Sequence, residues 1–248
     1  MNKIWIYWQN VGSQKKPEYI NLCLGSVLKH CSKDFEINVL NDNNINRFLP
    51  KIKKDFFKIS QVNNKSNYLR YALLQEYGGI WLDSDLVLFD GLKSILHLFD
   101  KNQDCDLMAT ASPGYIHGEP EAGFIASRPN GEIITQAFKL SNKMLKENPS
   151  GKKFPWSSMG PLLLRKAAKG KKYIHLASCY LQPIHWMDAE IFAQPKNLDN
   201  YINHKTLGVM LYNQGFKNCN SKILNMTEEE ILNCKLLIGD IFRKALNT

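Results

Sequence analysis

A chain of 248 residues, 44% of them hydrophobic, is long enough to bury one sizeable core. No apolar run approaches the ~18 residues needed to span a bilayer, and six cysteines without a CxxC pair exclude a zinc ribbon or a small disulfide scaffold. The net charge of +9 points to an anionic partner: nucleic acid, anionic lipid or phosphorylated small molecules.

Ile4 to Trp8 is apolar and β-prone, too short for a signal-peptide core, and reads as a first strand of a protein expected in the cytosol. The scattered cysteines then read as reduced, mostly buried thiols. Pro17 suits the first turn of a helix on which Ile20, Leu24, Val27 and Leu28 recur at helical spacing. Phe35 to Leu40 alternates as a second strand, and Asn41 to Asn46 is a turn-rich loop. Phe48 to Ile59 interleaves Lys51, Lys53, Lys54 and Lys58 with Phe48, Phe56 and Phe57. That pattern suits peripheral contact with an anionic membrane, such as the inner membrane of a bacterium, and equally a basic surface helix with an apolar underside.

Asn63, Asn64 and Ser66 offer N-caps to a helix whose face carries Leu69, Ala72, Leu73 and Tyr77. Gly78-Gly79 stops it, Ile80-Trp81-Leu82 resumes as a strand ending in Asp83-Ser84-Asp85, and Leu86 to Phe89 leaves toward another element. Strands follow at Leu107 to Ala111 and Phe124 to Ser127, and helices at Ile133 to Glu147 and Gly160 to Ala168. A short strand is expected at Tyr173 to Leu176, after the basic helix end Arg165 to Lys172. A last helix, Thr227 to Leu246, opens on a threonine cap and three glutamates, which suit the positive helix end. Strands alternating with helices predict an α/β fold with a central, largely parallel sheet in a single domain, 1–248.

The chemistry concentrates at Asp83 and Asp85. A DxD triplet alone is weak, since about one arises by chance in such a chain. Asp104-Cys105-Asp106 is a second, and its polar approach reads as a surface turn. Asp83 and Asp85 instead end an apolar strand, where open α/β sheets bind ligands. In a strand, residues two apart face the same way. Both carboxylates would then converge on one hard cation, Mn²⁺ or Mg²⁺, with diphosphate oxygens completing the shell. The Asp83-x-Asp85-x-Val87 pattern also matches a haloacid-dehalogenase-type phosphatase nucleophile, but Gly239-Asp240 lacks the second downstream acid that chemistry needs.

Ile4 to Gln9, Pro17-Glu18, Ser66 to Leu74 and Glu76 to Asp85 together resemble the bacterial capsular polysaccharide synthesis glycosyltransferases, and Gly160-Pro161 fits the same pattern. That group belongs to the DxD sugar transferases, similar to glycosyltransferase family 32, with the yeast mannosyltransferases and the large clostridial glucosylating toxins as relatives. The resemblance implies a GT-A fold, with residues 1–110 as the nucleotide-sugar-binding half. Residues 111–248 would form the acceptor side and C-terminal helix. It also implies a UDP-sugar donor, a hexose transferred with retention, a divalent cation, and a saccharide acceptor, lipid-linked by analogy, in capsule or lipopolysaccharide synthesis. Asp83 would meet ribose or sugar and Asp85 the metal, with Ser84 between them. Trp8 and Gln9 correspond to the base contact, and Ser66, Asn67 and Arg70 to a Ser-Asp-x-x-Arg stretch that touches donor hydroxyls. For Arg70 a surface helix cation is the competing reading, and Trp81 reads as core.

Two departures stand out. Asn67 replaces the family's Asp, removing a negative charge, and Met210 stands where a metal-proximal His is usual. A thioether is a poor ligand for a hard cation, which leaves water, Asn213 or His204 to complete the shell, His204 reading otherwise as a surface histidine. Glu119 and Glu121 are candidate acceptor contacts. The acceptor hydroxyl would attack from the face the diphosphate leaves, through an oxocarbenium-like transition state. The alternatives are a degenerate protein that only binds its nucleotide sugar, and a basic nucleic-acid or membrane module. The latter leaves the acidic pair unexplained and carries no nucleic-acid motif, so no nucleic-acid partner is expected.

Overall fold

The computed structural model describes residues 2–10, 12–13, 15–111, 119–148, 154–155 and 157–246. In chain order its first elements are β1 (Lys3–Tyr7), α1 (Tyr19–Cys31), β2 (Glu36–Leu40), α2 (Lys54–Phe57), α3 (Val62–Tyr77) and β3 (Gly79–Leu82). Then follow β4 (Leu86–Leu88), α4 (Lys93–Lys101), β5 (Leu107–Thr110), β6 (Phe124–Ser127), α5 (Glu132–Glu147), α6 (Pro161–Ala168) and β7 (Ile174–Leu176). The last are β8 (Gly208–Met210), α7 (Asn213–Asn218), α8 (Glu228–Asn233) and α9 (Leu237–Leu246). The chain forms two units interleaved in sequence: residues 1–11, 36–83 and 97–176, and residues 12–35, 84–96 and 177–248.

The first unit holds a six-stranded sheet in the order β2-β1-β3-β6-β5-β7. The pairs β1–β2, β1–β3 and β5–β7 are parallel, and β6 runs antiparallel to both its neighbours. The expected α/β fold is thus present, as a mixed sheet flanked by helices. Alternation along the strands puts Trp5, Tyr7, Trp81, Leu107, Ala109 and Ile125 into one core with the apolar faces of α3, α5 and α6. Where α3 gives way to β3, Gly78 has φ 64° and Gly79 φ 100°. A Cβ at Gly79 would lie 2.5 Å from the Lys3 carbonyl oxygen, so strand β3 approaches β1 only as glycine.

Two expectations change here. Asn63, Asn64 and Ser66 lie inside α3, which starts at Val62 after Gln61 without a side-chain cap. Asn64 is buried and donates to Gln61 Oε1 at 2.7 Å, while Ser66 turns to Arg70. Strand β3 also stops at Leu82, opposite Phe124, its last partner on β6. Asp83 N–H still reaches the Gly123 carbonyl at 2.9 Å, but Ser84 and Asp85 form a turn, and β4 begins in a different sheet. Asp83 and Asp85 are therefore not two same-facing residues of one strand.

In the second unit β4 pairs antiparallel with β8, Leu86 opposite Met210 and Leu88 opposite Gly208. Helix α1 covers this ribbon; Ser26 Oγ accepts the Leu88 N–H at 3.0 Å. The single last helix expected from Thr227 is broken into α8 and α9. Thr227 and Glu230 form a capping box on α8, but Cys234 turns extended, with ψ 154°. The carbonyls exposed by the break are taken by Arg243, whose guanidinium donates to Leu232 and Cys234. Helix α4, which buries Ile95 and Phe99 at helical spacing, and the 3₁₀ turns between Ser178 and Asn200 are additions to the elements expected from sequence.

Candidate active site

At the end of β3, in the first unit, Asp83 accepts two hydrogen bonds on one oxygen. Arg70 Nη2 donates to Oδ1 at 3.0 Å and Trp81 Nε1 at 2.9 Å. Arg70 is buried, so the reading of a surface cation does not hold. Its guanidinium also donates to Ser66 Oγ at 3.1 Å and to the Ala122 carbonyl, and it lies over the Trp81 ring at 5.1 Å. Among the described residues Arg70 Nε is buried without a hydrogen-bond partner. Most of the fork thus faces protein. It ties helix α3 to the Asp83 carboxylate and to the chain entering β6.

Asn67 is buried on the same helix, against the backbone that begins α6. A Cβ at Gly160 would come 2.9 Å from Asn67 Nδ2, and the Gly160 carbonyl accepts the Tyr71 hydroxyl at 2.8 Å. Burial pushes the Tyr71 hydroxyl well up; the Asp83 and Glu121 carboxylates add to this and Arg70 opposes it. Ser66 and Arg70 of α3 are thereby brought together with Asp83, and Asn67 of the same helix packs against Gly160.

Trp8 and Gln9 follow β1. Trp8 Nε1 donates to Asn10 Oδ1 at 2.9 Å, and Gln9 Oε1 accepts the Asp42 N–H at 3.0 Å. Asp42, which the sequence reading passed over, follows β2. Its carboxylate accepts the Tyr7 hydroxyl at 2.7 Å and an ion pair from buried Lys65, the residue before Ser66. No local sequence signal marks this pair, since Lys65 lies within α3 and 23 residues from Asp42.

Glu119 and Glu121 share one cation. Arg165 Nη1 lies 3.1 Å from Glu119 Oε2, and Nη2 pairs with Glu121 Oε1. Burial pushes the Glu121 carboxyl up, with Arg165 working against it. Both acids are thus tied to α6.

Ser84 and Asp85 belong to the second unit. The Asn213 N–H donates to Asp85 Oδ2 at 2.6 Å, and the Leu211 N–H to the Asp85 carbonyl at 3.0 Å. The Asn213 Oδ1 accepts the buried Tyr19 hydroxyl at 2.6 Å. Met210 is buried beside Leu86. His204 is exposed in the turn before β8, beyond the Gly208–Leu88 end of the ribbon, and is not brought to Asp85.

Among the described residues no three His, Cys, Asp or Glu side chains gather as a metal cluster. Asp85 is half-buried, with carboxylate oxygens to offer. Such a set fits a hard cation that takes one or two protein carboxylates and completes its shell from substrate phosphates and water. It does not suit a metal held by an all-protein cage.

Solved structures similar to this fold include glycosyltransferases. GlyE of Streptococcus pneumoniae TIGR4 is 14% identical, with a TM-score of 0.54 over 99% of this chain and 60% of that one. A glycosyltransferase involved in the glycosylation of the major capsid of PBCV-1 is 11% identical, with a TM-score of 0.50 over 90% and 98% of the two chains. At these identities the likeness is one of fold, and the chain spans 60% of the length of GlyE. Comparison with curated proteins finds no match. Residues 1–151, more than half of the chain, match the family model of capsular polysaccharide synthesis proteins. The chain belongs to that family.

Proposed function

We propose that this protein is a glycosyltransferase that moves a hexose from a UDP-sugar to a saccharide acceptor in bacterial surface polysaccharide synthesis. The observation that carries the reading is the fixed Asp83 carboxylate, held by Arg70 and Trp81 at the end of a sheet strand, directly before Ser84-Asp85. Capsule-family membership and the glycosyltransferase fold support it. In this reading Arg70 keeps Asp83 oriented, and the remaining Asp83 oxygen accepts a ribose or sugar hydroxyl. Trp8 and Gln9 meet the base, Ser66 and Asn67 the donor hydroxyls.

Asp85 would hold Mn²⁺ or Mg²⁺, which when bound supplies neutralisation of the diphosphate's charge. The acceptor hydroxyl attacks from the face the diphosphate leaves, with retention, and the protein contributes by positioning rather than by a nucleophile of its own. Among the described residues no helix is long and apolar enough to cross a membrane. The lysines and Phe57 of Phe48 to Ile59 are exposed, which suits peripheral contact with a membrane carrying a lipid-linked acceptor.

The test is donor hydrolysis across UDP- and GDP-sugars, with Mn²⁺ and with chelator, for the native protein and Asp85→Ala. Manganese-dependent release of UDP, abolished in a folded Asp85→Ala, is the expected result. Nucleotide binding without hydrolysis or transfer to any saccharide would instead favour a degenerate binder, for which Asn67 and Met210 are the structural arguments.

A further inference from the structure

We infer that Asn213 is a hydrogen-bond donor to the diphosphate of the donor, not a metal ligand, and that Tyr19 is the positioning residue that fixes its amide. The inference rests on the nucleotide-sugar reading above and assigns roles within it.

The Tyr19 hydroxyl lies 2.6 Å from Asn213 Oδ1. The hydroxyl donates its proton to the amide oxygen. Tyr19 is fully buried, and among the described residues its hydroxyl has this one partner. Flipping the amide would present an N–H₂ to the hydroxyl and leave the phenolic proton buried without an acceptor. Tyr19 therefore decides the orientation: the Asn213 oxygen points inward, and Nδ2 points away from Tyr19.

Among the described residues Nδ2 has no hydrogen-bond partner, and Asn213 is half-exposed, so its two N–H groups meet solvent. The backbone fixes the rest. Tyr212, at φ 58° and ψ 69°, holds an uncommon left-handed conformation for a residue with a side chain, and its hydroxyl is anchored on the Ile184 carbonyl at 2.9 Å. That turn directs the Asn213 N–H onto Asp85 Oδ2 at 2.6 Å. A group that places an amide donor next to the carboxylate expected to hold the cation is matched to an anion bridging to that cation. An amide oxygen already engaged by a phenol is a poor candidate for the metal itself.

The substitution Asn213→Asp separates the two roles. A metal ligand improves when it gains a charge, whereas a donor to diphosphate is lost and replaced by repulsion. UDP and inorganic pyrophosphate are titrated by calorimetry, with Mn²⁺ and with chelator. Thermal melting serves as the fold control. Asn213→Asp is expected to weaken both by about tenfold or more, in either condition, and Asn213→Ala by somewhat less. Tyr19→Phe is expected to weaken UDP by about threefold alone and to add nothing in the Asn213→Ala background, because it acts only through that amide.

Tighter manganese-dependent binding by Asn213→Asp, or unchanged UDP affinity in Asn213→Ala, would overturn the inference while leaving the donor reading intact. A Tyr19→Phe effect that persists undiminished in the Asn213→Ala background would remove the positioning role. A native protein that binds neither ligand in either condition would bring down the donor reading and this inference together.

Discussion

Arg70 Nη2 donates to Asp83 Oδ1 at 3.0 Å, with 4% of the arginine side chain and 32% of the aspartate side chain exposed. The pair links helix α3 to the end of β3, and the same guanidinium nitrogen reaches Ser66. A lysine at 70 offers one compact ammonium in place of a planar fork and cannot serve Ser66, Asp83 and the Ala122 carbonyl together. Arg70→Lys is expected to lower kcat/KM for donor hydrolysis by about tenfold or more while leaving a folded protein. Arg70→Ala leaves Asp83 and the Ala122 carbonyl without their donor and should cost about 3 kcal/mol of stability in urea unfolding. Equal activity in Arg70→Lys would mean that the fork's geometry is unimportant.

The contact between Gly160 and Asn67 gives a second expectation. Any side chain at 160 meets the Asn67 amide, with Nδ2 at 2.9 Å and Oδ1 at 3.0 Å from the added carbon. Asn67 is buried on a helix and has little room to move. Gly160→Ala should therefore destabilise by about 1–3 kcal/mol through overpacking. Truncating the neighbour in Gly160→Ala/Asn67→Ala should recover part of that loss, seen as a melting temperature above that of the single variant. A double variant no more stable than Gly160→Ala would place the strain elsewhere.

The region from Ser66 to Asp85 was legible because its signals are local. Helical spacing, two adjacent glycines and an apolar strand need no knowledge of the rest of the chain. What Arg70 does was not legible, since its partners Asp83 and Ala122 lie 13 and 52 residues away. The facing of Asp83 and Asp85 was misread for a related reason. How far a strand runs depends on its neighbour, and β6 offers β3 its last partner at Phe124.

The second unit was the least readable. Tyr19 and Asn213 meet across 194 residues, and β8 is three residues long. Its 3₁₀ turns carry no sustained period. Within one helix-like run, Thr227 to Leu246, only tertiary contacts such as Arg243 with the Leu232 and Cys234 carbonyls reveal the break.

The cysteines make a chemical prediction. Cys23, Cys31 and Cys105 are buried, Cys179 and Cys234 are half-buried, and Cys219 is exposed. Burial pushes the Cys31 thiol up to about 11, and it holds the Cys23 thiol well above its ordinary range, with the Asp85 carboxylate adding to the effect. The thiolate is the reactive form, so Cys219 should be alkylated first at pH 7.5, and Cys23 and Cys31 only after unfolding. Mass spectrometry of tryptic peptides over a time course of maleimide labelling reads the order. Early labelling of Cys23 in native protein would contradict the packing around Tyr19 and Asp85.

Glu121 gives a dependence on pH whose sign can be worked out. Burial raises its carboxyl above the ordinary value of about 4.3, despite the opposing Arg165 guanidinium. A carboxyl whose folded value lies above its unfolded one binds its proton more tightly in the folded state. Its stabilising contribution is complete below the unfolded value and is lost as pH climbs through the folded one. Glu121→Gln mimics the protonated form at every pH. The variant should therefore gain stability relative to the native protein as pH rises from about 4 to 7, with the gain levelling off above the folded value. Thermal melts of the two proteins across that range measure the difference directly. A relative stability that falls instead over the same range would mean that Arg165, not burial, dominates at Glu121, and that the ion pair contributes net stability to the packing of α6 against the sheet.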